Sequence, residues 1–139
     1  VYKRQAPLGA LSKIASGGEL SRISLAIQVV TAQVAAVPTV VFDEIDVGIG
    51  GATAEIVGQL LSTLGQRSQV LCVTHQAQVA SQGDHHIRVQ KVGDNKQLRT
   101  ELTFLTQEEK IDEIARMLGG IAITENTLAH AKEMLSTRH

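Results

Sequence analysis

The chain has 139 residues, of which 43% are hydrophobic and only 2% aromatic, and its formal net charge at pH 7 is -1. This length and hydrophobic share predict one globular domain that spans residues 1–139, and they exclude a disordered chain. Because aromatic residues are so few, we expect an aliphatic core. The charge gives no electrostatic basis for nucleic-acid or membrane binding by the whole chain, so any DNA contact must be local or lie elsewhere.

The first predicted element is a long helix. Apolar residues recur at helical spacing from Glu19 onward and form one stripe, and Pro38 stops the pattern, so we expect the helix to end near Ala36. Because the first dozen residues show no periodicity and residue 1 is not Met, we expect a piece of a longer polypeptide. The stripe consists of Leu20, Ile23, Ile27, Val30 and Val34.

Two short apolar runs with a helix between them come next. Thr39 to Phe42 and Gln69 to Thr74 are β-rich and suit strands buried on both faces, and Ala52 to Leu64 restores helical spacing after a glycine-rich loop. Strand, helix and strand in this order predict a βαβ unit with a parallel sheet. The only cysteine, Cys72, lies inside the second strand, which predicts a buried, inert thiol and a reducing compartment.

The last third of the chain has a different sequence pattern, with two β-like runs followed by two helices. Residues 86–91 and 97–105 are β-like around a turn at 93–96, and helices are expected over 76–81, over 108–118 and from an N-cap at Thr124 through Leu135. The expected fold class is therefore α/β, a mainly parallel sheet with flanking helices plus a C-terminal hairpin and two helices. Four basic residues are expected on a solvated hairpin face: Arg88, Lys91, Lys96 and Arg99.

Adjacent acids follow the first strand. Asp43 and Glu44 could be simply its polar end. Alternatively, the strand delivers two carboxylates to the carboxyl edge of a parallel sheet, where ligands of open α/β folds bind. Asp43 would then hold Mg²⁺ through water, and Glu44 would orient and deprotonate an attacking water.

Ser16, Gly17 and Gly18 open the first helix. Two glycines allow close approach of a ligand, and unpaired N–H groups with the positive end of the helix dipole suit an anion. An ordinary N-cap is the structural alternative, and Glu19 could serve the same structural purpose. The presence of Asp43 and Glu44 after the next strand favours the anion site over the ordinary N-cap.

His75 follows the second strand as Asp43 follows the first, so the sheet should bring both to one edge. An imidazole there can hydrogen-bond a γ-phosphate or the attacking water. Asp46 could cap the glycine-rich loop or reach across an interface.

Two other kinds of site are not expected. Asp84, His85 and His86 lack the spacing of a metal site. No apolar run approaches the roughly 20 residues that span a bilayer.

Together these motifs resemble the ABC-type ATPase head, and more narrowly its SMC-like branch, including bacterial DNA-repair members. Ser16 to Glu19 is similar to the signature motif, Val40 to Glu44 to the Walker B strand with its catalytic glutamate, Ile45 to Gly48 to the D-loop, and His75 to the switch histidine. The likeness extends over nearly the whole chain from about Pro7.

The resemblance implies a C-terminal lobe of a head that binds ATP and Mg²⁺, is cytoplasmic and nucleoid-associated, and has no membrane partner. Its partners would be an N-terminal P-loop lobe of the same protein, a second head in a homodimer, and DNA through the full-length protein. Ser16, Gly17, Gly18, Glu19 and Asp46 would contact nucleotide, and Glu44 and His75 would be catalytic. Since the sequence has no Gly-x-x-x-x-Gly-Lys-Ser/Thr and no sustained heptads, the chain alone is expected to be inactive.

Two other functions fit the same motifs. An ABC-transporter nucleotide-binding subunit shares the head chemistry, although its signature more often has Gln where this chain has Glu19. A non-catalytic head-dimerisation module would keep the fold without turnover, and the retained Asp43, Glu44 and His75 argue against it.

Overall fold

The structure, a computed structural model, describes residues 17–34, 37–43, 45–93, 98–119 and 122–137, and for residues 17–22 and 33 it describes the backbone alone. None of the helices in these ranges is long and apolar enough to cross a membrane. The elements in chain order are α1 (Gly17–Val34), β1 (Thr39–Asp43), α2 (Gly51–Gly65), β2 (Gln69–Val73), α3 (Ala77–Ala80), β3 (Ile87–Val92), β4 (Arg99–Phe104), α4 (Gln107–Gly119) and α5 (Glu125–Ser136).

The predicted βαβ unit is confirmed. Strands β1 and β2 pair in parallel, with Thr39 opposite Gln69 and Asp43 opposite Val73, and α2 connects them. The predicted hairpin is also confirmed, because β3 and β4 pair antiparallel from Ile87 opposite Phe104 to Val92 opposite Arg99. Within the described ranges the strands thus form two separate two-stranded sheets rather than one larger parallel sheet.

One hydrophobic core holds the βαβ unit together. It combines one face of α1, one side of β1, the loop after β1 and the inner face of α2. Phe42 is the largest fully buried side chain there, so the residue just before Asp43 is anchored in the core. The buried members are Leu25, Val29, Ala32, Phe42, Ile45, Ile49, Ala54, Val57, Leu61, Leu64 and Val79.

A second core lies between the two C-terminal helices. Ile114 and Ala115 of α4 are fully buried against Ala131 of α5. The short helix α3 contributes Ala77 to this core and Val79 to the first, so it contacts both. The predicted N-cap of α5 is confirmed, because the Thr124 hydroxyl accepts the backbone N–H of Thr127 and a capping box is present.

Two expectations about burial are wrong. The strands were expected to be buried on both faces, but Val41, Leu71 and Val73 are exposed while Phe42 is buried. Four members of the predicted α1 stripe are exposed, whereas Leu25, Val29 and Ala32 face the core; the exposed four are Ile23, Ile27, Val30 and Val34. The side chain of Leu20, the fifth member, is not among those described. The helix is apolar on more than one face, so periodicity alone could not decide which face packs against α2.

The hairpin also differs from its expected pattern. Arg88 is half-buried, and the register places Lys91 on the opposite face from Arg88 and Arg99, so these residues do not form one solvated face. Lys96 lies outside the described residues. The face that carries Lys91 also carries four exposed apolar residues, Ile87, Val89, Leu102 and Phe104, so it is largely apolar.

Candidate functional site

The carboxyl edge of the parallel sheet brings together the two strand ends singled out from sequence. Asp43 is the last residue of β1, is exposed, and pairs with Val73, the last residue of β2. His75 follows two residues beyond Val73. The expectation that Asp43 and His75 belong to one sheet edge agrees with this register. Glu44 lies outside the described residues, so its catalytic role stays a prediction.

The predicted anion site lies at the start of α1. This helix begins at Gly17, so Gly17, Gly18 and Glu19 form its first turn, and Ser16 lies outside the described residues. A helix N-terminus offers backbone N–H groups without intrahelical partners and the positive end of the helix dipole. Nucleotide contact by these four residues stays a prediction.

The loop between β1 and α2 is held against the core by its own apolar residues. Ile45 and Ile49 are buried on either side of Gly48, which has a φ of 75°. That backbone conformation is open to glycine and strained for most other residues. The Ile49 N–H donates to the Asp46 carbonyl across 3.2 Å, which closes the turn around Gly48.

Asp46 is the centre of a polar network that joins this loop to the segment after β2. Its side chain has 0% exposure. Its Oδ2 accepts the backbone N–H groups of His75 at 3.0 Å and Gln76 at 3.1 Å, and also the Thr74 hydroxyl. A buried carboxylate is stable only when such donors replace its hydration. In this structure the Asp46 carboxylate therefore serves the lobe itself, and its contact with nucleotide stays a prediction.

The His75 ring lies beside the same carboxylate but opens to solvent. Its Nδ1 is 3.3 Å from Asp46 Oδ1, and its side chain is 68% exposed. The Gln76 amide nitrogen donates to the Ile49 carbonyl at 3.1 Å and lies 3.4 Å from His75 Nε2. The histidine is thus positioned from both sides while one face of the ring stays accessible at the sheet edge.

Sequence reasoning assigned no role to two members of this network, Thr74 and Gln76. Both contact Asp46, and Gln76 also ties the two loops together through Ile49. The available signal was their position, since hydroxyl and amide side chains directly after a buried strand often complete the hydrogen bonds of its last backbone groups. That signal does not identify Asp46 as the partner, because the two segments are 28 residues apart in sequence.

Cys72 is not suited to a catalytic or metal-binding role at this site. Burial raises the pKa of its thiol to about 11, and the nearby charge of Asp46 acts in the same direction. The neutral thiol is a poor nucleophile and a poor metal ligand. The prediction of an inert cysteine is consistent with this environment.

The donors at the sheet edge fit Mg²⁺ better than a transition metal. Asp43 presents an exposed carboxylate, the kind of oxygen ligand that Mg²⁺ binds directly or through water. In the part of the chain that the structure describes, no three His, Cys, Asp or Glu side chains cluster as ligands for a metal ion. The exposed Asp43 carboxylate suits a cation that keeps most of its waters and takes its other ligands from phosphates.

Comparison with known proteins places these features in a family. Residues 9–98 match the family described as the RecF/RecN/SMC N terminal domain. The chain is 56% identical, over 93% of its length, to DNA repair protein RecN of Haemophilus influenzae and equally to that of Vibrio cholerae. A solved structure from a study of ATP-driven dimerisation and DNA-stimulated activation of SMC ATPases superposes with a TM-score of 0.65, at 21% identity over 79% of this chain and 66% of that one.

These similarities confirm the SMC-like resemblance and the α/β fold of such ATPases, and the named relatives bear out the likeness to bacterial DNA-repair proteins. The chain spans only 23% of the length of either RecN relative. The matched family is described by an N-terminal domain, which is at odds with the C-terminal position that the motifs predicted. The comparisons therefore do not support that position.

Proposed function

This chain belongs to the RecF/RecN/SMC N-terminal domain family, and from that membership we propose that it is an ATPase lobe of a RecN-like protein that acts in DNA double-strand-break repair and recombination. The observation that carries the proposal is the parallel register of β1 and β2, which assigns Asp43 and His75 to one sheet edge. Ligands of α/β folds bind at that edge.

We further propose that the lobe is the C-terminal one. Its support is the order of the motifs along the chain, with the Ser16 to Glu19 motif before the Asp43–Glu44 pair and His75, and a sequence without a P-loop motif. A lobe of this kind needs a P-loop lobe to hold ATP. The chain alone is therefore expected to be inactive, and the description of the matched family makes this position a point for direct test.

Each residue of the site has a separate task in this proposal. Mg²⁺ bound with ATP would neutralise phosphate charge, and Asp43 would hold the ion through water. Glu44 would orient and deprotonate the attacking water, and His75 would contact that water or the γ-phosphate. The core position of Phe42 anchors the strand directly before Asp43, which would limit the backbone reorganisation needed when nucleotide binds.

The start of α1 would act on a different nucleotide. In a dimer of heads, Ser16, Gly17, Gly18 and Glu19 would close over ATP held by the P-loop of the second head, with backbone N–H groups directed at the γ-phosphate. Asp46 would lie near that interface. Hydrolysis would reopen the heads and change how the full-length protein, in the cytoplasm at the nucleoid, holds DNA ends.

Turnover of ATP by the assembled head is the test. This chain is co-produced with a P-loop lobe from the same locus, and ATP hydrolysis is compared between the parent and Glu44→Gln. Loss of a positioned general base should lower kcat by about 100-fold or more while ATP binding persists. Glu55→Gln, at an exposed acid of α2, is the matched control and should retain parent turnover.

Two outcomes would overturn parts of the proposal. If the associated lobes bind ATP but neither parent nor variant hydrolyses it, the chain is a non-catalytic head-dimerisation module. If this chain instead assembles productively with a lobe that carries the signature motif and lacks a P-loop, its assignment as the C-terminal lobe is wrong.

A further inference from the structure

The two oxygens of the Asp46 carboxylate have different environments. Oδ2 accepts from Thr74, His75 and Gln76 and is saturated. Oδ1 is buried, and among the described residues it has no hydrogen-bond partner of good geometry. His75 Nδ1 lies 3.3 Å from it. A buried carboxylate oxygen is rarely left without a donor, so this pairing requires an explanation.

The two neighbours of the His75 ring explain why Oδ1 lies beside Nδ1. A neutral imidazole has one N–H and one acceptor nitrogen. The carboxylate oxygen beside Nδ1 can only accept, which favours a proton on Nδ1. On the other side, the Gln76 amide nitrogen lies 3.4 Å from Nε2, and its hydrogen bond to the Ile49 carbonyl fixes it as a donor toward the ring. Both neighbours therefore require the same arrangement, Nδ1–H with Nε2 as the acceptor.

We propose that Asp46 is a positioning residue for His75, which fixes the segment after β2 through the backbone N–H groups and holds the ring proton on Nδ1. The loop after β1 thereby sets the chemical state of a histidine at the end of β2. This goes beyond a contact of Asp46 with nucleotide, because the carboxylate acts through another residue of its own lobe.

This tautomer restricts the hydrogen bonds that a neutral His75 ring can make with water or phosphate, an inference that rests on the proposed function. With the proton on Nδ1, neutral His75 can accept a hydrogen bond from the attacking water at Nε2, but it cannot donate from Nε2 to a phosphate oxygen. The structure thus assigns neutral His75 to the water rather than to the γ-phosphate.

Asp46→Asn tests the proton placement directly. The amide oxygen can keep the hydrogen bonds at the Oδ2 position, while the amide nitrogen replaces Oδ1 with a donor. An Nδ1–H group would then face a donor, so the His75 proton should shift toward Nε2 despite the Gln76 amide beside that nitrogen. The tautomer is read from side-chain nitrogen NMR of histidine-labelled chain assembled with its P-loop lobe, and His75→Gln assigns the signal.

Thr74→Val is the matched control. It removes one donor to Oδ2 and one acceptor of the Gln76 backbone N–H, and it keeps the approach of Oδ1 to the His75 ring. A purely structural role for Asp46 would make both variants less stable without changing the tautomer, whereas the proposal expects reversal in Asp46→Asn only. The parent spectrum is decisive by itself if Asp46→Asn does not fold, because a parent ring that carries its proton mainly on Nε2 would overturn the proposal.

Turnover separates this inference from the proposed function. In an active assembly Asp46→Asn should lower kcat by about 100-fold, as expected when a reacting group such as the attacking water is misplaced by about 1 Å. Parent turnover in a variant with a reversed tautomer would overturn the assignment of His75 to the water. Absence of turnover in the parent, with the Nδ1–H tautomer observed, would overturn the proposed function and leave the positioning role of Asp46 intact.

Discussion

At the scale of single residues, burial decides which polar groups are available for chemistry. Asp43 and His75 are exposed at the end of adjacent strands, whereas Asp46 is fully buried although it lies only three residues beyond Asp43. Lys110 is also buried, at 2% exposure, and its ammonium group donates to the carbonyls of Gly83 and Asp84. Buried charged groups such as Asp46 and Lys110 organise backbone segments here, because desolvation makes them dependent on fixed partners.

Cys72 gives a prediction about stability at high pH. Its pKa is raised from 9.0 to about 11 in the folded chain, so between these values the unfolded thiol ionises and the folded one does not. The unfolded state then binds fewer protons, and stability falls as pH rises through this window. Cys72→Ala should therefore show a shallower fall in the free energy of unfolding between pH 9.0 and about pH 11.

The measurement is urea unfolding at several pH values, with parent and variant treated identically. Since lysine and tyrosine also titrate in this range, only the difference between the two slopes reports on Cys72. Equal slopes would show that the folded thiol ionises as readily as the unfolded one.

At the scale of elements, the contact between α2 and α3 depends on a missing side chain. A Cβ at Gly58 would lie 2.7 Å from Gln82 Cγ, 3.0 Å from the Gln78 carbonyl oxygen and 3.2 Å from Val79 Cα. The first neighbour is flexible, but the other two are backbone. Because α3 contacts both cores and directly follows the His75 segment, this close approach also positions the candidate site.

Gly58→Ala should therefore destabilise the protein by about 1–3 kcal/mol, the usual effect of overpacking a well-packed contact. Gly65→Ala is the matched control in the same helix, since nothing lies within 4 Å of its Cβ position, and it should be neutral or stabilising by about 0.4–1 kcal/mol. Chemical denaturation measures both. A stability of Gly58→Ala equal to that of Gly65→Ala would show that α3 can move away at no cost.

At the scale of the whole molecule, each sheet leaves an apolar face uncovered by the described residues. Val89 pairs with Leu102 and Ile87 with Phe104 on the exposed face of the hairpin, and Phe104 is 72% exposed. The parallel sheet exposes Val41, Leu71 and Val73, although parallel sheets are normally covered on both faces. Contiguous apolar surface of this kind marks an interface or an aggregation risk.

The 139-residue chain should therefore self-associate as its concentration rises. Val89→Lys combined with Leu102→Glu places an opposite-charge cross-strand pair on the exposed hairpin face and should shift sedimentation velocity toward the monomer. Gln90→Lys, opposite Glu101 on the other face, is the control and should leave association unchanged. A compact monomer at every concentration of the parent would contradict the prediction.

The sequence alone determined the order of the elements and the sheet edge to which two candidate site residues belong. Hydrophobic periodicity, Thr124 and the glycine-rich stretches predicted the helices and strands within a few residues, because those signals are local. The parallel pairing followed from two apolar runs with a helix between them. From that pairing came the shared edge of Asp43 and His75, without any knowledge of side-chain contacts.

Only the tertiary structure decided which faces are buried and what Asp46 does. The exposed stripe of α1 and its buried one are both apolar, so the choice depends on where α2 packs. Asp46 could face an interface or its own lobe, and the donors that decide the matter come from Thr74, His75 and Gln76, distant in sequence. Local patterns report spacing along the chain, whereas burial and hydrogen-bond partners depend on segments that meet only after folding.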